Sequence, residues 1–391
     1  MSPTTQDHGL ALDLRIPRQS TAPQVEHCSD RDVLLLNWRD LTHPEGGGSE
    51  LYVESLAARL AAGGDRVTLF CADHGRAPRD EVKNGVRYVR RGTRLTVYAW
   101  AAALMLLGRL GRQGVVVEVH NGVPFLARLW TRRRVVVLVH HVHREQWPVV
   151  FGARAARLGW WLESKVAPLV NRRCDYVAVS EVTRAELVEL GVPASRIRIV
   201  HNGTAPPLPT DRGRAAHPTL LVLGRVVPHK RVELVLEAAA VLRQEIPDLQ
   251  VHVVGEGYWL PAVQETLDRL KLDDTVVLHG RVDEQTKADL LARSWINVVP
   301  SIKEGWGLSV VEAGTHGTPS VAFRAAGGLA ESILDGSTGL LLDDLDDLVP
   351  ALRGLLTDRA RCAALGEQAR AYASGFSWQT SAAEFSAVLD R

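Results

Sequence analysis

From Asp32 onward, short runs of aliphatic and β-branched residues alternate with longer stretches in which apolar positions return every three or four residues. DVLLLNW, RVTLFCA, GVVVEVHNG, RRVVVLVHH and DYVAVS are apolar on both alternating positions, as parallel strands covered on two faces must be. Between such runs lie segments such as SELYVESLAARLAAGG, with helical spacing and a closing glycine pair. After IRIVHNG the stretch APPLPTDRGRAAHP, rich in proline and polar residues, interrupts the alternation. The pattern then restarts with PTLLVLGRV, LQVHVVGEG, DTVVLHGRV, SWINVVPS, TPSVAF and TGLLL. The expectation is an α/β protein: two Rossmann-like, doubly wound parallel-sheet domains that face a cleft and bind ligand at the carboxyl ends of their strands.

Length agrees, since 391 residues suit two cores better than one. The predicted boundaries are a disordered polar tail over 1–30, a first domain over 31–204, a linker over 205–217, a second domain over 218–372 and a closing segment over 373–391. The tail lacks the basic start, apolar centre and small-residue site of a signal peptide. A formal net charge of +1 gives no global pull toward nucleic acid. Cys28, Cys71, Cys174 and Cys362 lie far apart with no CxxC pair, so a zinc site or a disulfide framework is not indicated and a reducing cytoplasm fits. VYAWAAALMLLG, Val97 to Gly108, is shorter than the ~20 residues a membrane span needs. It is bracketed by Arg90, Arg91, Arg94, Arg109 and Arg112, so it reads as a buried helix with solvated ends or as one lying on anionic lipid at the inner face of a membrane.

The chemistry concentrates in EGWGLSVVE. SWINVVPS reads as a strand, IKEGWG as a loop and LSVVEAGTHG as a helix, so Glu304 precedes the helix and Glu312 sits about one turn inside it. Between the two acids, the free N–H groups near Gly307, Leu308 and Ser309 form a helix start that attracts anions. Eight helical residues rise about 12 Å, the span of a diphosphate with a sugar on each side. Two carboxylates near separate hydroxyl groups, with amides between them, describe a nucleotide-sugar site. LVLGRVVPHKRVE supplies complementary charge, with Arg225 just after a strand and Lys230 five residues on. Two other motifs carry less. GEGYWL starts like a dinucleotide loop but places Leu260 where the third glycine belongs, and the DLD at Asp344–Asp346 precedes a helical stretch and reads as a cap rather than a metal ligand.

EGWGLSVVEAGTHGTPSVAF, LGRVVPHKR, VVGEGYWL, PEGGGSE and VSEVTRAELVELGVPASRIRIVHNGT together resemble the retaining GT-B fold glycosyltransferases of family four, which include sucrose synthases and bacterial mannosyltransferases. The resemblance runs from Asp32 to about Phe385. It implies that Glu304 contacts hydroxyls of the transferred sugar, that Glu312 holds the ribose, and that Arg225 and Lys230 bind the diphosphate. It further implies phosphate contacts from the amides of Leu308 and Ser309, base contacts from the backbone near Val282, and a glycine loop at Gly47 and Gly48. His140, at the end of RRVVVLVHH, falls where the family often carries a histidine against the sugar, although His120, His141 and His143 are rivals by position. Arg144, Glu145, Gln146 and Trp147 stand where the family varies with acceptor. SGFSWQTSAAEF is similar to the family's final helix, which crosses back to the first domain and would be anchored by Trp378.

The implied activity moves a hexose from a UDP- or GDP-sugar to a hydroxyl of a glycan, lipid or small metabolite. It proceeds with retention and without a cofactor or metal. No residue stands out as a general base for inversion or as a carboxylate nucleophile for double displacement. The alternatives are a sugar-nucleotide epimerase on the same scaffold and a catalytically inert binding module.

Overall fold

A computed structural model describes residues 30–150 and 152–391, so the polar tail expected over 1–30 lies outside it apart from Asp30. The strands are β1 (Asp32–Leu36), β2 (Arg66–Cys71), β3 (Asp80–Lys83), β4 (Val86–Arg90), β5 (Val115–His120), β6 (Arg134–Val139), β7 (Asp175–Ala178) and β8 (Ile197–Ile199), forming one eight-stranded sheet. A second, six-stranded sheet is built from β9 (Thr219–Leu223), β10 (Gln250–Val254), β11 (Val276–Gly280), β12 (Ile296–Val299), β13 (Ser320–Phe323) and β14 (Gly339–Leu342).

Every pairing is parallel except that of β3 with β4. The order in the first sheet is β3-β4-β2-β1-β5-β6-β7-β8 and in the second β11-β10-β9-β12-β13-β14. Each sheet reverses direction of growth at its first strand, between β1 and β5 and between β9 and β12. A crevice opens at that point because the helices on either side leave in opposite directions. The β3–β4 hairpin was not anticipated from the hydrophobic runs, since DEVK is almost wholly exposed and polar.

Alternate residues of the first sheet feed two cores. One holds Val33, Leu35, Val117 and Leu138 against the helices Gly48–Ala62 and Trp378–Leu389; the other holds Leu34, Leu36, Val116 and Val137 against the helix Val97–Leu106. The first core also takes in Trp306 and Val311, which follow β12, so it draws on segments attached to both sheets. Residues 205–217 form no regular element, and just before them Gly203 passes so close to the start of the last helix that a Cβ there would lie 2.2 Å from the Trp378 nitrogen. The helix Val97–Leu106 departs from the buried reading, because it leaves Trp100 and Leu106 exposed.

Candidate active site

A cavity of about 350 Å3 lies between the carboxyl ends of the two sheets. Gly46–Ser49, after β1, and His140 and His141, after β6, line it from the first sheet; Gly224 and Arg225, after β9, and 304–309, after β12, line it from the second. Both switch points thus open into one space.

Glu304 sits on the loop between β12 and the helix Leu308–Thr315. Its backbone N–H donates to the Ala326 carbonyl at 2.8 Å and its own carbonyl accepts from the Gly328 N–H at 3.0 Å, which fixes the loop. The carboxylate accepts from Ser301 Oγ at 2.7 Å and is ion-paired with Lys230 Nζ. Burial would raise its pKa, but the Lys230 charge and these hydrogen bonds hold it below the usual range, so Glu304 stays ionised. Gly305 and Gly307 are glycines for different reasons. A Cβ on Gly305 would stand 2.1 Å from the His140 carbonyl across the cleft, whereas Gly307 has φ +94° and a Cβ there would meet Leu329 Cδ2 at 2.5 Å. The chain therefore turns sharply into the helix, and Gly307, Leu308 and Ser309 line the cavity at its amino end. First-turn N–H groups have no carbonyl partner within a helix and carry its partial positive charge.

Glu312 lies in the second turn, half-buried, and accepts from Lys287 Nζ at 3.0 Å. Burial opposes the Lys287 charge, yet the facing Glu312 and Glu284 raise its pKa. Lys287 was not singled out in the sequence: DEQTKADL is an ordinary surface helix start, and only the fold brings it beneath Glu312.

Arg225 reaches back across the cleft, and its Nη1 donates to the Glu45 carbonyl at 3.3 Å. Burial and the nearby Arg39 guanidinium lower its pKa, and Glu50 opposes them. Glu50 is fully buried, pairs with Arg39 at 2.9 Å and accepts the Gly47 N–H at 2.8 Å. Within the quoted GGSE, the spacing from Gly47 to Glu50 was the available signal for this capping arrangement. Gly48 lies close to the opposite wall, where a Cβ would approach Leu308 Cδ1 to 2.9 Å.

His140 is buried edge-on against Tyr52, and its Nε2 has no hydrogen-bond partner among the described residues. Burial, with smaller contributions from His143 and Arg39 and against Glu50, lowers its pKa to about 4, so the ring is neutral near pH 7. Of its rivals, His141 also lines the cavity, whereas His120 is tied to the buried Glu118 at 2.8 Å and His143 to the buried Glu163 at 2.8 Å.

The four acceptor candidates are not brought to the cavity. Gln146 is buried and bonded to His141 at 3.1 Å; Trp147 is buried with its Nε1 donating to Glu163 at 2.7 Å. Arg144 and Glu145 are exposed, Arg144 lying over the Trp160 ring at 5.1 Å and Glu145 lying 4.0 Å from Lys303. Their polar density reflects a wall held together from inside, with its charges outside. Val282 does line the cavity. Asp344 begins a helical turn, and its N–H donates to Asp347 at 3.2 Å, as a cap would.

Two family descriptions match complementary parts of the chain: Glycosyltransferase Family 4 over residues 46–208 and Glycosyl transferases group 1 over residues 213–372. The chain is a family 4 glycosyltransferase. This glycosyltransferase is 26% identical over 375 residues to a GDP-mannose-dependent α-(1-6)-phosphatidylinositol monomannoside mannosyltransferase of Mycolicibacterium smegmatis, covering 88% of this chain and 95% of that one. It is 28% identical to a D-inositol 3-phosphate glycosyltransferase of an Arthrobacter strain, over 87% of this chain and 89% of that one. Among solved structures, its fold matches sucrose-phosphate synthase from Thermosynechococcus elongatus with a TM-score of 0.78 at 22% identity, over 91% of this chain and 98% of that one. Anabaena HepE in complex with UDP-glucose matches with a TM-score of 0.72 at 18% identity, over 92% of this chain and 99% of that one. These two likenesses establish the GT-B fold. The curated relatives named transfer sugars, and the epimerase reading finds no support among them.

Proposed function

We propose that the glycosyltransferase holds the diphosphate of a UDP- or GDP-sugar between Arg225, Lys230 and the amides of Leu308 and Ser309, and passes the hexose with retention to a hydroxyl acceptor. The observation that supports this best is the convergence, in one cavity, of two cations from the β9 side and a helix start from the β12 side, with an acid on either side of that start. A half-buried cation such as Arg225 gains from an anion that replaces the water it has lost. Glu312 then takes the ribose, Glu304 and His140 the transferred sugar, and the Val282 backbone the base. Gly47 and Gly48 keep the loop facing the donor free of side chains. In the step itself, the bond from the anomeric carbon to the phosphate oxygen breaks and one to the acceptor oxygen forms on the same face. The acceptor's proton goes to the departing phosphate oxygen, so the protein supplies positioning and charge rather than a base. Glu304 is paired with Lys230 and Glu312 with Lys287, so each acid is held by its own cation, which supports this division of labour.

The acceptor belongs to the same reading only as a class: a hydroxylated glycan, lipid headgroup or small metabolite. The phosphatidylinositol-linked acceptor in the name of the M. smegmatis relative favours peripheral contact with the inner face of a membrane.

Calorimetric titration tests the two acids. Glu312→Ala is expected to weaken binding of both UDP or GDP and the intact donor by roughly ten- to a hundredfold, the worth of a hydrogen bond to a charged group. Glu304→Ala is expected to leave the bare nucleotide unchanged or somewhat tighter, because it frees Lys230, while transfer falls. Equal loss of bare-nucleotide binding in both variants would refute the assignment.

A further inference from the structure

Charge is spread unevenly along this chain. Residues 91–173 hold fourteen Lys and Arg against three Asp and Glu, in a protein whose net charge is only +1. Two of the three acids, Glu118 and Glu163, are buried against histidines and so cancel little of the outward field.

The same segment carries the exposed apolar residues. Leu95 is 84% exposed, and the helix it precedes ends in Leu106 and Leu107 at 67% and 66%, with Trp100 half-exposed between them. Farther on, the helical stretch from Ala153 to Val170 exposes Leu158, Trp161 and Leu169. Both groups belong to one layer. Val97, Ala101 and Leu104 pack onto the core that contains Val139 and Tyr176, and those two residues line a small cavity with Glu163 and Ala167. The helices covering the opposite face, Gly48–Ala62 and Trp378–Leu389, expose none of their large apolar side chains. Arg109, Arg154, Arg157, Lys165, Arg172 and Arg173 are exposed within the layer and make no ion pair among the described residues.

We propose that this helical layer is a docking surface for a membrane bearing anionic lipid, with the exposed leucines entering the acyl boundary, Trp100 and Trp161 at headgroup depth, and the arginines on lipid phosphates. Charge complementarity selects this occupant. A second copy would bring the same positive field and repel it, and a nucleic acid would leave the aliphatic side chains in water. Only a surface with acidic headgroups over an apolar interior satisfies both components at once. The proposal rests on the peripheral-contact part of the functional reading and does not depend on which donor is used.

Co-sedimentation of the full chain with phosphatidylcholine vesicles, with and without phosphatidylglycerol, tests it. The wild-type protein is expected to bind only when phosphatidylglycerol is present and to be released as salt rises. The double variants Leu106→Glu/Leu107→Glu and Arg154→Glu/Arg157→Glu should each lower partitioning by about tenfold or more. Both should keep wild-type affinity for UDP and GDP, which shows that the fold is intact. Wild-type protein that ignores both vesicles would overturn this surface and the peripheral-contact reading together. Binding that both variants retain would overturn the surface alone. Equal binding to neutral vesicles, or tighter binding to single-stranded DNA than to anionic vesicles, would overturn the choice of occupant.

Discussion

Arg225 and Lys230 differ in what holds them before any ligand arrives. Lys230 already has a carboxylate in Glu304, while Arg225 donates to a backbone carbonyl and stands between the Arg39 charge, which lowers its pKa, and Glu50, which opposes it. On the proposed reading, a diphosphate would displace Glu304 from Lys230 and the Glu45 carbonyl from Arg225. Arg225→Ala and Lys230→Ala are each expected to lower kcat/KM by about a hundredfold or more, the scale of removing a charge that stabilises a departing oxyanion, and steady-state assays against nucleotide sugars measure it. His140 gives a separate residue-scale outcome. Its pKa falls from 6.5 to about 4 on burial, so the unfolded chain binds more protons between those values. The stability it contributes is complete above pH 6.5 and is lost as pH falls toward 4. Urea midpoints across that range should decline less steeply in His140→Gln, by close to one proton at most. The paired acids and the basic pair were legible because each lies in a quoted motif beside a strand end. Lys287 was not assigned, since its partner Glu312 comes from another element and only the fold joins them, whereas the Glu50 bond to the Gly47 N–H is local and its pairing with Arg39 is not.

Among the elements, strands buried on both faces announced themselves by composition, and all eleven anticipated apolar runs, together with the short IRIV run, lie in the two sheets. The missing pair, β3 and β4, shows where that signal stops. Their strands are polar on one side, so they read as loop, yet the turn between them is Asn84-Gly85, with φ of 52° and 75°. That dipeptide supports a tight hairpin because both residues tolerate left-handed backbone, and it was the cue available in DEVKNGVRYVR. The region after β6 misled in the opposite way, because polar residues that bond to one another look the same in sequence as polar residues awaiting a ligand. A third element settles the DLD. The Asp347 carboxylate accepts the Asp344 N–H, so Asp347→Ala should cost about 1 kcal/mol and Asp346→Ala much less, as urea unfolding would record. Transfer should persist in both variants and after exhaustive EDTA treatment; activity restored only by magnesium or manganese would contradict the capping role.

At the scale of the whole molecule, the cleft is bridged by side chains as well as by backbone. Lys303, next to Glu304, is buried and ion-paired with Glu186 on the helix Glu181–Glu189. On the far side of the same loop, Glu331 accepts the Glu181 N–H at 2.7 Å and bonds His201 at 2.7 Å. Burial raises the Glu186 pKa despite Lys303, so this pair is held by its surroundings as much as by its charge. Removing only Lys303 leaves the half-buried Glu186 carboxylate without its cation, a loss smaller than the about 3–5 kcal/mol of fully buried pairs, whereas removing both charges is close to neutral. Lys303→Met is expected to shift the protein toward separated sheets, seen as a larger radius of gyration by small-angle scattering. Lys303→Met/Glu186→Gln should return it toward wild type. An unchanged radius in the single variant would show that closure does not depend on the pair.

The last helix has a consequence for how the chain is made. Phe385, Val388 and Leu389 share a core with Val33 and Leu35, at opposite ends of the chain. A ribosome delivers those segments in order, so the first sheet emerges with this face covered by Gly48–Ala62 but not by the last helix, and stays so while the whole second sheet is being synthesised. Strands of this composition left open invite pairing with other nascent chains. The interval before Leu389 leaves the exit tunnel is thus when the polypeptide has most need of a chaperone, and the sheet translated first is the one completed last.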